Sequence, residues 1–469
     1  MASKDLCISD QINTQYRSYA IYVLQSRGIP NFYDGLTPVQ RLILQNSPSK
    51  FNKTIGVVGE VIKTGLYHHG DQSLSGAISK LARPFGCSYG VLEGDGFFGS
   101  PVNPSPSAPR YTSVRINSKV KDFIFKNYDL NEKNEEGGYD WLHVEVPVGL
   151  LTHVVGIAVG YRSNILPRKL EDVQEYLVGS AKLLKPHFKD FSGKITRFQN
   201  EESTWLMESG FEVDQSKKTI HIYDLPPVMR YDSFINKLDL RLESLGIEYR
   251  IENRSQSKCD LVVAIRGTDQ TRFSEIVSQV EKLCKIIVKE DVVFVKDGGV
   301  MEFSSVKEYL DHFKAHLELV KLKRLVRDSE DYSKELAFLE AKLKFLNFMI
   351  SKKRTNKEIL EFVSQFADWI SSRLQKIEIV KLSSDHIKQT ENDIKELKIK
   401  ITETKKKIKE QEKRHKEISK QVEKLGKIKP NKIQVNLFEP TQVNGIEIFQ
   451  VEEGEEQEEV QEESEEDEI

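Results

Sequence analysis

The spacing of hydrophobic positions changes character along the chain. From about Pro147 to Val300, short apolar runs (GIAVG, TIHIYDLPP, CDLVVAIRG, KIIVKEDVVFVKD) alternate with polar periodic segments. That pattern predicts strands with intervening helices, an α/β or α+β region. Beyond it the punctuation stops, because the 126 residues between Gly299 and Gly426 hold neither glycine nor proline. Only long helices fill such a gap.

Within it, residues 387–425 repeat every seven. One seam carries Ile387, Ile394, Ile401, Ile408, His415 and Val422, and the other carries Thr390, Leu397, Thr404, Gln411, Ile418 and Leu425. Eight of these twelve positions are apolar, which predicts a helix wrapped left-handed on a partner helix. The partner is expected in the same chain at 307–350, through Leu310, Phe313, Leu317, Val320, Leu336, Leu339, Leu343 and Leu346. Between the two, residues 353–384 hold their own cluster of Ile359, Phe362, Phe366, Trp369 and Ile370. Two antiparallel arms with a small knob at the tip account for the pattern, and the knob serves either as a dimer contact or as a private cap. The first 145 residues mix short helical patterns with turns marked by Gly and Pro. After Pro430, KIQVNLFEP is able to pair as a strand, and the Glu-rich end reads as a disordered tail with too little apolar surface to order itself.

Composition adds bounds. A chain of 469 residues divides into two to four domains. With 38% apolar and 30% charged residues, a mean hydropathy of −0.46 and no apolar run approaching about 18 residues, a membrane span is excluded. The opening MASKDLCISDQ lacks a signal pattern. Cys7, Cys87, Cys259 and Cys284 fit neither a zinc pattern nor a disulfide scaffold, so a reducing cytoplasm is expected. The net charge of −3 conceals an asymmetry: residues 451–469 hold 12 acids and no base, and subtracting them leaves the first 450 residues at +9.

Three segments carry candidate chemistry. GDGFFG at 94–99 matches the letters of a dinucleotide fingerprint, but SPVNPSPSAPR follows, with four prolines in eleven residues, where a helix would have to start. A tight turn, or close backbone approach to a phosphate, remains. LYHHGDQS at 66–73 places His68 beside His69. Adjacent side chains point apart, so a shared metal is disfavoured, leaving packed core histidines or a phosphate-facing histidine. APRYTSVRI at 108–116 reads as a proline-marked turn entering a strand with Tyr111, Ser113 and Arg115 on one face. The bland reading is a surface pair of tyrosine and arginine. The chemical one is a phenol that attacks a phosphodiester while a guanidinium steadies the phosphate. The phenol still lacks activation, its unperturbed pKa being about 10. No acidic magnesium motif and no GxxxxGK[ST] loop occurs.

Taken in order, SRGIPNFYDGLTPVQRLIL (26–44), GEVIKTGLYHHGDQSL (59–74), LEGDGFFGS (92–100), SAPRYTSVRI (107–116) and GIAVGYRSNILP (156–167) resemble the DNA breakage-reunion part of type IIA DNA topoisomerases. The YHHG spelling is that of the bacteriophage branch, whose medium subunits are stand-alone chains. The resemblance implies an α+β multidomain protein: a winged-helix DNA-cleavage domain at 1–145, an α/β tower at 146–302, and coiled-coil arms at 303–426 with a helical dimer gate at 353–384. A C-terminal extension with its acidic tail would occupy 427–469.

It implies Tyr111 as nucleophile, with Arg110 and His69 on the scissile phosphate. Arg27, Arg41, Lys63, His68 and Lys80 become DNA contacts, and Ile157 an apolar wedge between base pairs. Judged by the residues alone, Ile157 is a buried strand position. The chain departs from the cellular bacterial spelling at Thr37, where a lysine is usual, and at Leu42, so Lys63 is expected to compensate for a lost phosphate contact. Gln40 matches the phage and eukaryotic branches.

The implied partners are double-stranded DNA, a second copy of the chain, and a separate protein subunit that binds both ATP and Mg²⁺. This chain alone is expected to bind neither, to act in the cytoplasm (a bacterial host's if phage-encoded), and to relax or decatenate rather than supercoil actively. A structural coiled-coil protein and a nucleotide-dependent oxidoreductase are the rival readings.

Overall fold

The computed structural model describes residues 16–24, 28–179, 183–351, 354–377, 384–424, 441–443 and 446–448. Helix α1 spans Arg17–Val23, α2 Pro38–Asn46, α3 Thr54–Lys63 and α4 Asp71–Ala82. The departure at Thr37, beside α2, has a local reason. Pro38 opens the helix, where no amide is needed, and Gln40 Oε1 accepts the Thr37 amide at 3.0 Å, so Thr37 and Gln40 frame the helix start. Strands β1 (Asn52–Lys53), β2 (Leu92–Asp95) and β3 (Ser113–Ile116) form an antiparallel sheet in the order β1-β3-β2, followed by α5 (Ser118–Phe125).

The expected boundaries at 145/146 and 302/303 do not separate cores. Hairpin β4–β5 (Val154–Ala158, Tyr161–Ile165) and α6 (Leu170–Leu177) extend the first cluster, which one buried set continues from Phe32 through Val173 to Phe303 and Leu317. The chain leaves this core near residue 190 and re-enters it at the hairpin β13–β14 (Val292–Lys296, Gly299–Phe303), so the boundary residues pack on both sides. Phe32 N–H donates to Val295 O at 2.8 Å, Tyr309 Oη donates to Phe32 O at 2.8 Å, and Phe294 stacks on Tyr309 at 4.1 Å.

The excursion holds two smaller clusters. Strands β6 (Lys194–Arg197), β7 (Thr204–Glu208) and β12 (Lys285–Lys289) pair in the order β12-β7-β6 and bury Trp205 and Met207. There Glu290 accepts from Arg168 Nη2 at 2.6 Å and from Trp205 Nε1 at 2.7 Å, all three buried. Strands β8 (Gly210–Asp214), β9 (Thr219–Asp224), β10 (Glu248–Asn253) and β11 (Leu261–Arg266) pair in the order β10-β11-β9-β8. Helices α7 (Tyr231–Ser244) and α8 (Gln270–Leu283) contribute Phe234, Leu238, Phe273 and Ile276 to its core. Strands and helices alternate here as expected, but every pairing is antiparallel. The α/β reading of this region is therefore corrected to α+β: alternation in sequence does not specify strand direction.

Helices α9 (Val306–Ser351) and α12 (Ser384–Lys424) are the two arms, about 69 and 62 Å long at 1.5 Å per residue. Gln411 bonds Glu318 and Lys398 pairs with Glu340, so numbers rise on one arm as they fall on the other and the arms run antiparallel. The seam residues Thr390, Ile394, Ile401 and Thr404 are buried. The two threonines stay satisfied by donating to His386 O and Lys400 O, one turn back. At the tip, α10 (Asn356–Val363) and α11 (Asp368–Leu374) make the knob. Its aromatics are not all spare: Phe362 stacks on Phe348 at 4.2 Å and meets Phe366 at 5.6 Å, whereas Trp369 remains 43% exposed.

Residues 441–443 and 446–448 pair as a short antiparallel hairpin. Arg27, Leu425, all of KIQVNLFEP and the acidic stretch after Gln450 lie outside the described residues. Cys87, Cys259 and Cys284 are buried free thiols. Among the described residues no helix is long and apolar enough to cross a membrane.

Candidate active site

The turn before β3 is held from two sides. The first amides of a helix have no intrahelical acceptor, and α3 spends two of them here: Thr54 N–H donates to Thr112 O at 3.0 Å and Ile55 N–H to Pro109 O at 3.3 Å. The hydroxyls of Thr54 and Thr112, both buried, lie 2.8 Å apart. Tyr111 N–H closes the turn on Ala108 O at 2.9 Å. From the other side comes the Gly-rich loop. Gly96 sits at φ +106, and a Cβ there would lie 3.3 Å from both Tyr111 O and Thr112 Cγ2. GDGFFG is thus the tight turn of the two readings, required by backbone conformation and close approach, and no helix begins within it.

The clamp fixes the backbone of residues 109–112 and leaves one side chain outside. Tyr111 is 68% exposed, sits in the turn rather than in the strand, and carries the Arg110 guanidinium 5.2 Å from its ring centroid. Among the described residues its hydroxyl has no hydrogen-bond partner. Other phenols differ: Tyr67 Oη donates to Gly70 O at 3.1 Å and Tyr33 Oη to Asp297 at 2.8 Å. Arg115, on β3, is taken by Glu93 directly across the sheet at 2.7 Å. An exposed phenol on a rigid turn, beside an exposed guanidinium, suits attack on an anionic electrophile.

His68 is exposed and His69 half-buried, edge-on to the Tyr67 ring at 5.5 Å, in the loop entering α4. They are not packed core histidines. Together with Arg41, Tyr139 and Trp141 they line a cleft of about 880 Å³ that does not include Tyr111. Lys63 at the end of α3 and Lys80 in the last turn of α4 are exposed, Lys63 with Glu60 at 3.7 Å.

Arg41 departs from expectation. It is 3% exposed and bonds Asp34 through Nε at 2.7 Å and Nη2 at 3.2 Å, with further bonds to the carbonyls of Leu36 and Tyr139. A guanidinium so occupied braces the domain. Ile157 corrects the other way. It is 74% exposed beside Val155 at 61%, because a Cβ on Gly156 would strike the Gly28 carbonyl and the hairpin lies against that backbone, pushing its apolar face outward. Sequence reasoning missed Thr54 and Thr112 as the clamp. The available signal was a threonine opening the apolar helix run TIGVVGEVI.

Among the described residues no group of three or more His, Cys, Asp or Glu side chains is placed to hold a metal ion.

The sequence matches the family of DNA gyrase/topoisomerase IV A subunits over residues 27–423. Relatives include the DNA gyrase A subunit of Borreliella burgdorferi, 26% identical over 71% of this chain and 45% of that protein. The DNA gyrase A subunit of Buchnera aphidicola is 27% identical over 80% and 49%. The DNA topoisomerase medium subunit of Enterobacteria phage T4 is 24% identical over 81% and 90%. The chain spans about half the length of the two gyrase proteins. Among solved structures, the DNA-binding, cleavage and re-ligation domain of Plasmodium falciparum topoisomerase II superposes with a TM-score of 0.71 at 20% identity, covering 90% of this chain and 66% of that one.

Proposed function

This chain belongs to the family of DNA gyrase/topoisomerase IV A subunits, and from that premise we propose that it is the DNA-cleaving and rejoining subunit of an ATP-dependent type II topoisomerase. The observation that carries the reading is the clamped turn that leaves Tyr111 outside with Arg110 beside it. Tyr111 Oη attacks a backbone phosphorus in line, the phenolic proton leaves to base, and the 3′ oxygen departs and takes up a proton. The product is a 5′-phosphotyrosyl end. One ester replaces another, so resealing is the same exchange run backwards and consumes no ATP. Arg110 neutralises phosphate charge as it builds, and His69 is the second phosphate-facing group.

Two copies acting on opposite strands open a duplex for passage of another. Along a core shared across both boundaries, residues 1–145 grip and cut DNA as the winged-helix part, 146–302 contribute the tower, 303–426 the arms, and the knob at 353–384 the dimer gate, where exposed Trp369 and Leu360 supply apolar contact. Lys63, Lys80 and His68 meet phosphates, as does Arg27, and Ile157 wedges between base pairs. A partner subunit binds ATP and Mg²⁺, whose chemistry is charge neutralisation at the scissile phosphate. The compartment is the cytoplasm, a bacterial host's if the chain is phage-encoded.

The test mixes the chain with candidate partner subunits on supercoiled plasmid, traps with detergent and protease, and maps the DNA-linked peptide. The reading requires that peptide to contain Tyr111. A linkage at Tyr67 or Tyr89, or no DNA break with a competent partner, overturns it.

A further inference from the structure

Between the Gly-rich loop and the four-stranded sheet lies a cavity of about 480 Å³, within the size range of small-molecule sites. Phe85, Phe97, Phe98, Phe191, Val228 and Met229 supply its apolar lining. The lining comes from the first and second parts of the chain, so an occupant would touch both.

Arg83 faces this space from the end of α4, half-buried. Elsewhere the fold pairs its buried guanidiniums with carboxylates, Arg41 with Asp34 and Arg168 with Glu290. Arg83 has no such partner among the described residues. Its neighbours are the Phe85 ring, 5.2 Å from the guanidinium carbon to the centroid, and the thiol of Cys87. Burial lowers its pKa, the mark of a cation drawn out of water without a counter-charge. The rim carries Lys189, Arg230 and Lys258 against Asp190, Asp224 and Asp232, and Asp224 is already occupied by Ser192 at 2.7 Å. Asp190 holds a left-handed backbone, φ 69, a strained conformation of the kind found at ligand sites.

We propose that this cavity binds a small organic anion, its aromatic or aliphatic body against the apolar lining and its charged group on the Arg83 guanidinium. Tyr111 is not among the residues that line the cavity, although the Gly-rich loop that walls it also packs on the Tyr111 turn, and the proposal does not depend on the cleavage reading.

The probe is 8-anilinonaphthalene-1-sulfonate, titrated by fluorescence against the full chain beside N-phenyl-1-naphthylamine, the same ring system without the sulfonate. The expected result is one saturable site for each dye. Arg83→Gln should weaken the sulfonate at least tenfold, the loss of a charge-assisted pair, and shift the neutral dye less than twofold. Ser257→Trp, at the exposed rim, should weaken both at least tenfold by capping the mouth. If Arg83→Gln leaves sulfonate affinity within twofold, if both dyes survive Ser257→Trp, or if the unaltered chain has no saturable site, the proposal fails. Circular dichroism accompanies each variant, and Arg83→Lys, which keeps charge but not the planar fork, replaces Arg83→Gln should that chain not fold; it should bind the sulfonate more weakly than the unaltered chain.

Discussion

Replacing Arg41 by Met separates a structural role from a DNA-contacting one. The substitution keeps an unbranched side chain and removes a guanidinium that is 3% exposed, leaving Asp34, 0% exposed, with a buried carboxylate. Removing one partner of a buried ion pair costs about 3–5 kcal/mol. Here the cost should fall near the lower end, about 3 kcal/mol, because the amides of Leu36 and Leu142 continue to donate to Asp34 at 2.9 and 3.0 Å. Converting Asp34 to Asn in the same chain should recover part of that loss, since an amide tolerates burial better than a lone charge. Urea unfolding followed by tryptophan fluorescence reads the change, with Trp141 packed 4.4 Å from Tyr33 near the pair. A salt series of duplex binding supplies the contrast. Lys63→Ala should reduce the slope of log affinity against log salt by about one, and Arg41→Met should leave it unchanged. Stability within about 1 kcal/mol of the parent, together with a slope reduced by one, would refute the bracing role and make Arg41 a phosphate ligand.

Tyr111→Phe should fold and bind DNA as the parent does yet form no covalent adduct, whereas Arg110→Ala should leave a trace, both read by trapping with DNA and the partner subunit. Thr112→Val strands the buried Thr54 hydroxyl and should cost about 1–3 kcal/mol. Adding Thr54→Val should cost little more, and a double-mutant cycle in which the two losses simply add would contradict the clamp. Burial, then the charges of His143, Lys296 and Lys323, lowers the His316 pKa to about 3, and burial with Lys323 lowers that of His143 to about 4. Because both fall below the ordinary 6.5, the unfolded chain takes up these protons first. Stability should be full above pH 6.5 and decline as pH falls towards 4 and 3, on the order of 3 kcal/mol per histidine. His316→Phe should flatten that decline in urea midpoints measured from pH 7 to 4, and an unchanged profile counts against it.

What was legible in the sequence was what local spacing controls. A seven-residue repeat without glycine or proline leaves a chain little alternative to paired helices, and the arms begin and end within a few residues of where the pattern does. Prolines on both sides of Ser105 to Ala108 exclude a helix from the Gly-rich loop to Arg110, and a turn is what forms. The candidate nucleophile was readable for the same reason: its motif is contiguous.

Tertiary structure decided everything that depends on distant partners. Arg41 and Ile157 exchanged their expected places, the charged residue buried and the apolar one exposed. The reasons are Asp34, Tyr139 and Leu142 around the first and Gly28 behind the hairpin of the second. The antiparallel direction of the four-stranded sheet, and the single core that ties Phe32 to Val295 and Tyr309, likewise come from contacts far apart in sequence. A side chain's period along the chain says which face it shares with its neighbours. Whether that face meets water is set by the segment that packs there, and burial of a charge is tolerable only where such a segment brings its counter-charge and carbonyls.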